Sequence, residues 1–114
     1  MPVDFAVTPQ SSNGLLVLAV AGEIDLFTAP ELKTAITKGI DSGSQKLVID
    51  LTDTTFLDST ALGVLIGAVK RLNASDGALA IVNSDSNISK TFEITGLDQI
   101  LKIYGTRDEA VAAI

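Results

Sequence analysis

The sequence contains no cysteine and no histidine among its 114 residues. Without cysteine, the chain can form no disulfide and offers no thiolate as a nucleophile or metal ligand. Without histidine, it lacks the general base of a Ser-His-Asp triad and the commonest neutral metal ligand. Carboxylates and lysines could still catalyse a reaction, but the hypothesis of a hydrolase is weak. We therefore expect a protein that is not an enzyme.

Basic residues are also few. Eight Lys and Arg residues stand against fourteen Asp and Glu residues, which gives a net charge of −6. Nucleic-acid binding depends on clustered Lys and Arg that neutralise phosphates, and the basic residues here are spread along the chain. Direct nucleic-acid binding is therefore not expected, and a protein or a cationic surface is the favoured partner.

Long apolar runs are missing as well. No apolar stretch reaches the roughly 18 residues that a membrane-spanning helix needs. The first ten residues, MPVDFAVTPQ, lack the basic region and apolar core of a secretory signal. Hydrophobic residues make up 46% of the chain and charged residues 19%, which suits a folded core. We expect a cytoplasmic protein without membrane association, built as a single domain over residues 1–114.

Segments typical of strands and helices alternate along the chain. Five segments are predicted as strands: residues 4–7, 15–22, 46–51, 78–83 and 100–104. Four helices are predicted to begin near these residues: Thr28, Ser59, Ser86 and Thr106. Capping boxes of the form T-x-x-E mark the first and last helices, at Thr28 with Glu31 and at Thr106 with Glu109. Alternating strands and helices predict an α/β fold with a parallel core, and an antiparallel first pair would make the sheet mixed.

The segment FLDSTALGVLIG, residues 56–67, joins the third strand to the second helix. We expect the residues before Ser59 to form a loop at the carboxyl edge of the parallel sheet, where such folds place their sites. Asp58 and Ser59 are both favoured N-cap residues. With Asp58 as the cap, Leu57 and Leu62 hold the positions of a hydrophobic staple. Capping alone therefore accounts for this sequence, and the residues by themselves leave a functional role for Ser59 open.

A helical wheel divides residues 59–72 into an apolar arc and an outward face. The outward face holds Ser59, Thr60, Gly63, Gly67, Lys70 and Arg71. Each glycine inside a helix costs about 0.8–1 kcal/mol relative to alanine. Close approach of another surface is a reason to keep Gly63 and Gly67, and that surface is either a partner or a neighbouring part of the same domain.

A phosphate on Ser59 would add about −1.5 to −2 charges at the first turn of this helix. Free N–H groups and the helix dipole favour an anion there, so the fold should tolerate it. A docked partner would feel the change instead. Asp58 adds a carboxylate beside the hydroxyl. Asp25, after the second strand, comes near if both loops share one end of the sheet, although an isolated Asp there is more often a turn or cap residue.

Four segments, in order over nearly the whole chain, resemble the anti-sigma factor antagonists of the bacterial STAS-domain family. They are GEIDLFTAPEL (22–32), LVIDL (47–51), FLDSTALGVLIGAVKR (56–71) and FEITGL (92–97). The Asp-Ser pair with its glycine-bearing helix is the most specific part. The resemblance implies a STAS-like mixed sheet of four to five strands, with about four α-helices packed mainly on one face.

The resemblance also implies a binding module switched by phosphorylation. In that family, the unphosphorylated antagonist binds an anti-sigma factor, which is also a serine kinase, and frees the sigma factor. The kinase phosphorylates the serine after the Asp and breaks the complex, and a serine phosphatase resets it. By resemblance, Ser59 is the phosphoacceptor and Asp25 and Asp58 are its acidic neighbours. The residues that match the docking helix are Thr60, Gly63 and Gly67. No cofactor and no metal are implied, and we expect a monomer when the protein is free.

One departure and three alternatives accompany this hypothesis. The family often has glycine where this chain has Ala61, which we expect to tighten the first turn and restrict the kinase's access, without preventing phosphorylation. Thr60 is a candidate second acceptor. The first alternative is a STAS module of a larger stress-sensing assembly. The others are a receiver phosphorylated at Asp50, which lacks the acidic pair such proteins need, and a hydrolase using Ser59, which lacks its base.

Overall fold

The computed structural model describes residues 3–12 and 14–114. These residues form one five-stranded sheet in the order β1-β2-β3-β4-β5. The strands are β1 (Ala6–Ser12), β2 (Leu15–Ile24), β3 (Lys46–Leu57), β4 (Ala78–Val82) and β5 (Lys102–Tyr104). The α-helices are α1 (Ala29–Asp41), α2 (Ser59–Ala74), α3 (Ser86–Thr95) and α4 (Arg107–Ala113), with a short 3-10 helix at Leu97–Gln99. None of the described helices is long and apolar enough to cross a membrane.

The sheet is mixed, as predicted. β1 runs antiparallel to β2, whereas β2, β3, β4 and β5 run parallel to one another. β1 extends further than the predicted 4–7 and includes Pro9, which an edge strand tolerates because its outer side needs no ladder hydrogen bond. Ser11 and Ser12, beyond the predicted end of this strand, also pair with β2, and Asn13 lies outside the described residues.

The core lies mainly on one face of the sheet, because successive strand residues point to opposite faces. Alternate residues of the three central strands join apolar residues of α1, α2 and α3 in the larger cluster, including Leu18, Ile49, Ile81, Leu32, Leu65 and Phe92. The intervening residues form a smaller cluster with α4: Val17, Val48, Ala80, Val82 and Ala110. Three helices thus cover one face and the short α4 covers part of the other, which confirms the predicted fold class.

α4 is fastened to its face of the sheet by an ion pair. Arg107 donates to the carboxylate of Asp50 from Nε at 3.0 Å and Nη2 at 2.9 Å, and to the side chain of Gln10 at 2.8 Å. Asp50 is 7% exposed and also accepts hydrogen bonds from the N–H and hydroxyl of Thr52. Burial raises the pKa of Asp50, but the bonds from Thr52 and Arg107 outweigh it and hold the pKa below its ordinary value. Asp50 is therefore a buried structural carboxylate on the face away from Ser59's helix.

β3 is longer than the sequence predicts. Residues 52–57, expected as a loop, continue the strand and pair with β2 as far as Leu57 beside Ile24. The pairing passes through register shifts near Ala21 and Gly22, and the hydroxyl of Thr54 donates to the carbonyl of Val20 at 2.8 Å. The polar side chains of residues 52–55 show no apolar strand pattern, so the sequence does not indicate this extension. Backbone pairing with β2 stabilises it instead. The expected loop before Ser59 is therefore wrong.

Candidate functional site

The junction of β3 and α2 consists of one residue, Asp58. Its N–H donates to the carbonyl of Ile24 at 3.1 Å, and its carboxylate accepts from the N–H of Ala61 at 3.1 Å. Asp58 is thus the N-cap of α2, as predicted, and Ser59 is the first helical residue. Leu57 and Leu62, at the predicted staple positions, are both buried in the larger core cluster. The start of α2 is therefore held by backbone, cap and core together.

Ser59 itself is exposed at this first turn. Within the described part of the chain, the N–H groups of Ser59 and Thr60 have no hydrogen-bond acceptor, whereas that of Ala61 is taken by the cap. The side chain of Ala61 is fully buried and points away from the exposed hydroxyl. Ala61 is therefore not part of the exposed surface around Ser59. The first turn presents a hydroxyl and two free donors to solvent.

Asp25 lies in the turn that follows β2. Its carboxylate accepts from the N–H groups of Thr28 at 3.0 Å and Phe27 at 2.9 Å. The hydrogen bond from the Thr28 N–H, supported by the bond from Phe27 and opposed by desolvation, lowers the pKa of Asp25. Asp25 is therefore a turn residue as well as a candidate site residue.

Thr28 takes part in the same turn, and the predicted capping box with Glu31 does not form. Thr28 occupies the N-cap position of α1, but its hydroxyl makes no cap hydrogen bond to the helix. It donates instead to the carbonyl of Glu23 at 2.8 Å and accepts from the N–H of Asp25 at 2.9 Å. The Thr28 hydroxyl closes the turn instead of capping the helix, because the end of β2 and the start of α1 are only a few residues apart.

Asp25 and Asp58 lie side by side at the carboxyl edge of the sheet. Each follows directly after one member of the parallel pair Ile24 and Leu57. The two segments therefore share one end of the sheet, which is the condition under which Asp25 comes near Asp58. The structure thus brings Asp25, Asp58 and Ser59 to one edge of the sheet, where the exposed Ser59 follows Asp58 directly in the chain.

The outward face of α2 continues from Ser59. We call Thr60, Gly63 and Gly67 the docking face. Gly63 and Gly67 are exposed, and a Cβ atom built on either would meet no atom within 4 Å among the described residues. Packing inside the described chain therefore does not require glycine at either position. Of the two explanations that the sequence left open, close packing within the described part of the chain is therefore not supported.

The docking face borders a groove of about 340 Å³ between α1 and α2. On the α1 side the groove is lined by Lys33, Ile36, Thr37 and Ile40. Arg71 of α2 pairs with Asp41 at the end of α1, and this ion pair bridges the two helices at the distal end. The docking face is therefore one wall of this groove, and its residue Thr60 lies next to Ser59 in the chain.

Other features of the molecule lie away from this edge. A cavity of about 860 Å³ lies between α1 and the first two strands, and its lining includes none of the predicted site residues. In the ranges 3–12 and 14–114, no group of three carboxylate, imidazole or thiol residues is placed to hold a metal ion. Asp50, the residue considered for a receiver, is buried in its pair with Arg107 and is not an open acceptor.

The family model of the STAS domain matches residues 6–110. The chain belongs to the STAS-domain family. The anti-sigma-B factor antagonist of Listeria monocytogenes is 40% identical over 90 residues, covering 79% of this chain and 79% of the relative. That of Staphylococcus aureus is 36% identical over 84 residues, covering 74% of this chain and 78% of the relative. The predicted resemblance to the anti-sigma factor antagonists is confirmed.

A solved structure supports the same assignment of this STAS protein. The crystal structure of an anti-sigma factor antagonist from Mycobacterium paratuberculosis superposes with a TM-score of 0.84 at 30% identity. The superposition covers 97% of this chain and 94% of the other. The mixed sheet and its helices are therefore the fold of the family.

Sequence reasoning gave no role to Leu26 and Phe27, which follow Asp25 in the same turn. Both side chains are exposed, Phe27 by 87% and Leu26 by 63%. The sequence did contain a signal for their exposure. Leu26 and Phe27 lie between the end of a strand and a Thr-x-Pro helix start, and their positions match neither the apolar pattern of the strand nor that of the helix. They are the most exposed apolar side chains at the Ser59 edge.

Proposed function

We propose that this STAS protein is an anti-sigma factor antagonist controlled by phosphorylation of Ser59. Its unphosphorylated form binds an anti-sigma factor that is also a serine kinase, and the bound sigma factor is released for transcription. The kinase transfers a phosphate to Ser59 and ends the complex, and a serine phosphatase restores the binding form. The observation that carries the proposal is the exposure of Ser59 at the first position of α2, directly beside the docking face.

The start of α2 suits a phosphate without loss of the fold. The unpaired N–H groups of Ser59 and Thr60 and the helix dipole favour an anion, typically by about 0.3–1 kcal/mol at exposed positions. The carboxylates of Asp58 and Asp25 oppose it, and solvent screens that repulsion to a similar size. Because the two effects nearly cancel, the helix should stay intact in both states.

The partner should respond to the phosphate where the fold does not. Glycines at positions 63 and 67 allow a partner surface to approach the helix backbone closely, and Ser59 lies at the start of that approach. A phosphate there adds bulk and negative charge that the complex would have to desolvate. Binding is therefore lost because the two surfaces are no longer complementary, and no rearrangement of this protein is needed.

The decisive experiment combines phosphate mapping with binding. The protein is incubated with the purified anti-sigma factor kinase of the same organism and ATP, and the phosphate is located by mass spectrometry. We expect it on Ser59. Ser59→Ala should bind the kinase constitutively and Ser59→Asp poorly. Phosphate on Asp50 but not on Ser59, or equal affinity of the two variants, would contradict the proposal.

α3 supplies a matched control. Its N-cap is Asp85, whose carboxylate accepts from the N–H groups of Asn87 and Ile88, and the exposed Ser86 follows it as the first helical residue. Asp85 and Ser86 thus repeat the Asp-Ser arrangement at the end of the neighbouring parallel strand. Ser86→Ala should leave phosphorylation unchanged. A kinase that labels both serines would be reading the helix start alone, not the docking face beside Ser59.

A further inference from the structure

The turn between β2 and α1 points two consecutive apolar side chains into solvent. Leu26 and Phe27 are 63% and 87% exposed, whereas the apolar residues on either side, Ile24 and Ala29, are fully buried. The chain therefore places apolar side chains in the core immediately before and after this pair. The outward position of Leu26 and Phe27 is a local property of the turn.

The backbone that carries Phe27 is fixed by hydrogen bonds. The N–H of Phe27 and that of Thr28 donate to the Asp25 carboxylate, at 2.9 and 3.0 Å, and the hydroxyl of Thr28 is tied to the Glu23 carbonyl. The N–H of Ala29 donates to the carbonyl of Asp25 at 2.8 Å. These bonds therefore hold the backbone position from which the Phe27 side chain projects. A preorganised aromatic residue with two side-chain torsions loses little entropy when it is bound.

The turn adjoins the Ser59 edge and is rimmed by carboxylates. Asp25 precedes Leu26 and lies beside Asp58, and Glu23 is exposed on the same strand end. An exposed aromatic residue inside a polar rim is the usual composition of an interface hot spot. Because the rim here is acidic, the complementary surface is an apolar pocket bordered by Lys or Arg side chains.

We propose that Phe27, with Leu26 beside it, is the principal apolar anchor for the anti-sigma factor, and that it inserts into a basic-rimmed apolar pocket of that protein. This inference rests on the proposed function and adds a second contact to it. Phe27 supplies affinity in the complex, and Ser59 decides whether the adjoining contact can form. The kinase reaction then needs Phe27 as well, because the same docking brings Ser59 to the kinase.

The test measures affinity for the purified anti-sigma factor kinase of the same organism, by calorimetry, with wild type, Phe27→Ala and Ile94→Ala. Ile94 is a matched control, since it is 81% exposed but lies near the carboxyl end of α3, away from the Ser59 edge. Loss of a hot-spot side chain weakens binding by about 30-fold or more. We expect that loss for Phe27→Ala, with a comparable fall in kcat/KM for Ser59 phosphorylation. Ile94→Ala should stay within about threefold of wild type.

Thermal unfolding checks that the fold is unaffected. Both substituted side chains are exposed, so neither variant should lose stability. Phe27→Ala binding like wild type while Ser59→Asp fails to bind would overturn the anchor and leave the proposed function standing. Equal losses of affinity for Phe27→Ala and Ile94→Ala would also overturn the anchor role of Phe27. Wild type and Ser59→Asp binding alike would overturn the proposed function itself.

A second copy of this chain is the competing occupant of the turn. Sedimentation of wild type and Phe27→Ala separates the two cases. We expect the same sedimentation coefficient for both at micromolar concentration. Self-association that disappears in Phe27→Ala, with kinase binding unchanged, would assign the turn to a dimer and overturn the inference.

Discussion

The N–H of Asp58 donates to the carbonyl oxygen of Ile24 at 3.1 Å. This hydrogen bond joins the end of β2 to the start of α2, and it places Asp58 next to Asp25. The position of Ser59 is therefore set by strand pairing and by a helix cap. Neither of them uses the hydroxyl of Ser59.

The two Asp caps allow the helix role of Asp58 to be separated from its proposed role in binding. Asp58→Ala and Asp85→Ala each remove the N-cap carboxylate of one helix, and each should lower the free energy of unfolding by about 1 kcal/mol. Only Asp58→Ala should also weaken kinase binding, because Asp85 caps α3. Asp58→Ser should regain stability through its own cap. Urea denaturation and calorimetry measure the two effects, and equal binding losses in the two alanine variants would refute a specific role for Asp58.

Substitution of the docking-face glycines should move stability and binding in opposite directions. Gly63→Ala and Gly67→Ala place a methyl group in open space and improve helix propensity, so each should raise the free energy of unfolding by up to about 0.8–1 kcal/mol. The same methyl groups should weaken kinase binding, since they fill the space left for the partner. Thermal unfolding and calorimetry test both parts. Unchanged binding in the double variant would remove the docking face from the interface.

Gly39 of α1 is the contrasting helical glycine. A Cβ atom there would collide with the side chain of Leu16, so Gly39→Ala should destabilise the protein. The change in the free energy of unfolding should therefore have opposite signs for Gly39→Ala and Gly63→Ala. That difference identifies Gly39 as the glycine that the packing of the fold requires. Gly39→Ala that is as stable as wild type would mean that the Leu16 side chain can move aside.

Gly22 combines a left-handed backbone with a crowded site. Its φ is +88°, and a Cβ atom would lie 3.0 Å from backbone atoms of Phe5 and Val3. Gly14 has a similar φ of +82° but nothing within 4 Å among the described residues. Gly14→Ala should therefore cost about 1–2 kcal/mol from backbone strain alone. Gly22→Ala should cost about 1–3 kcal/mol more, from the added collision. Denaturant titration compares the two, and equal losses would contradict the close approach.

The Asp50–Arg107 ion pair should make stability depend on pH in acid. Because the pKa of Asp50 is lowered in the folded state, its contribution is fully present above the ordinary value of 3.8 and is lost as pH falls through the lower folded-state pKa. Asp50→Asn should lower the free energy of unfolding at pH 7 by about 1–3 kcal/mol and flatten its decline below pH 4. Urea denaturation between pH 7 and pH 2.5 measures this.

Asp41 provides the control for that experiment, since its pair with Arg71 is solvent-exposed. Asp41→Asn should change stability by less than about 0.5 kcal/mol at pH 7, because exposed ion pairs contribute little. A loss from Asp41→Asn as large as that from Asp50→Asn would mean that burial of Asp50 does not strengthen its pair.

The parts of the fold that were predictable are those set by neighbouring residues in the chain. α3 begins at Ser86, as the sequence predicts; Ile88 and Phe92 form its buried side, and Gly96 ends it with a φ of +76°. The box predicted at Thr106 forms in part: the Thr106 hydroxyl accepts from the N–H of Glu109 at 3.2 Å, and the Glu109 carboxylate accepts from that hydroxyl at 3.1 Å. Each of these features depends on contacts within a few positions.

The parts that were not predictable depend on residues distant in sequence. Residues 52–57 form a strand because β2 pairs with them. The segment TDTTFL has no apolar pattern that would predict this pairing. Thr28 gives up its capping role because the carbonyl of Glu23 lies within reach. The candidate site shows the same division. The cap at Asp58 could be predicted, but the neighbour relation of Asp25 to Asp58 required the register of β2 and β3.

A one-residue junction between β3 and α2 leaves no hinge at the start of α2. Under the proposed function, the signal would pass through no conformational relay inside this protein. The only record of the signal would be the covalent phosphate, and the phosphorylated fraction would be set by the balance between the kinase and phosphatase activities.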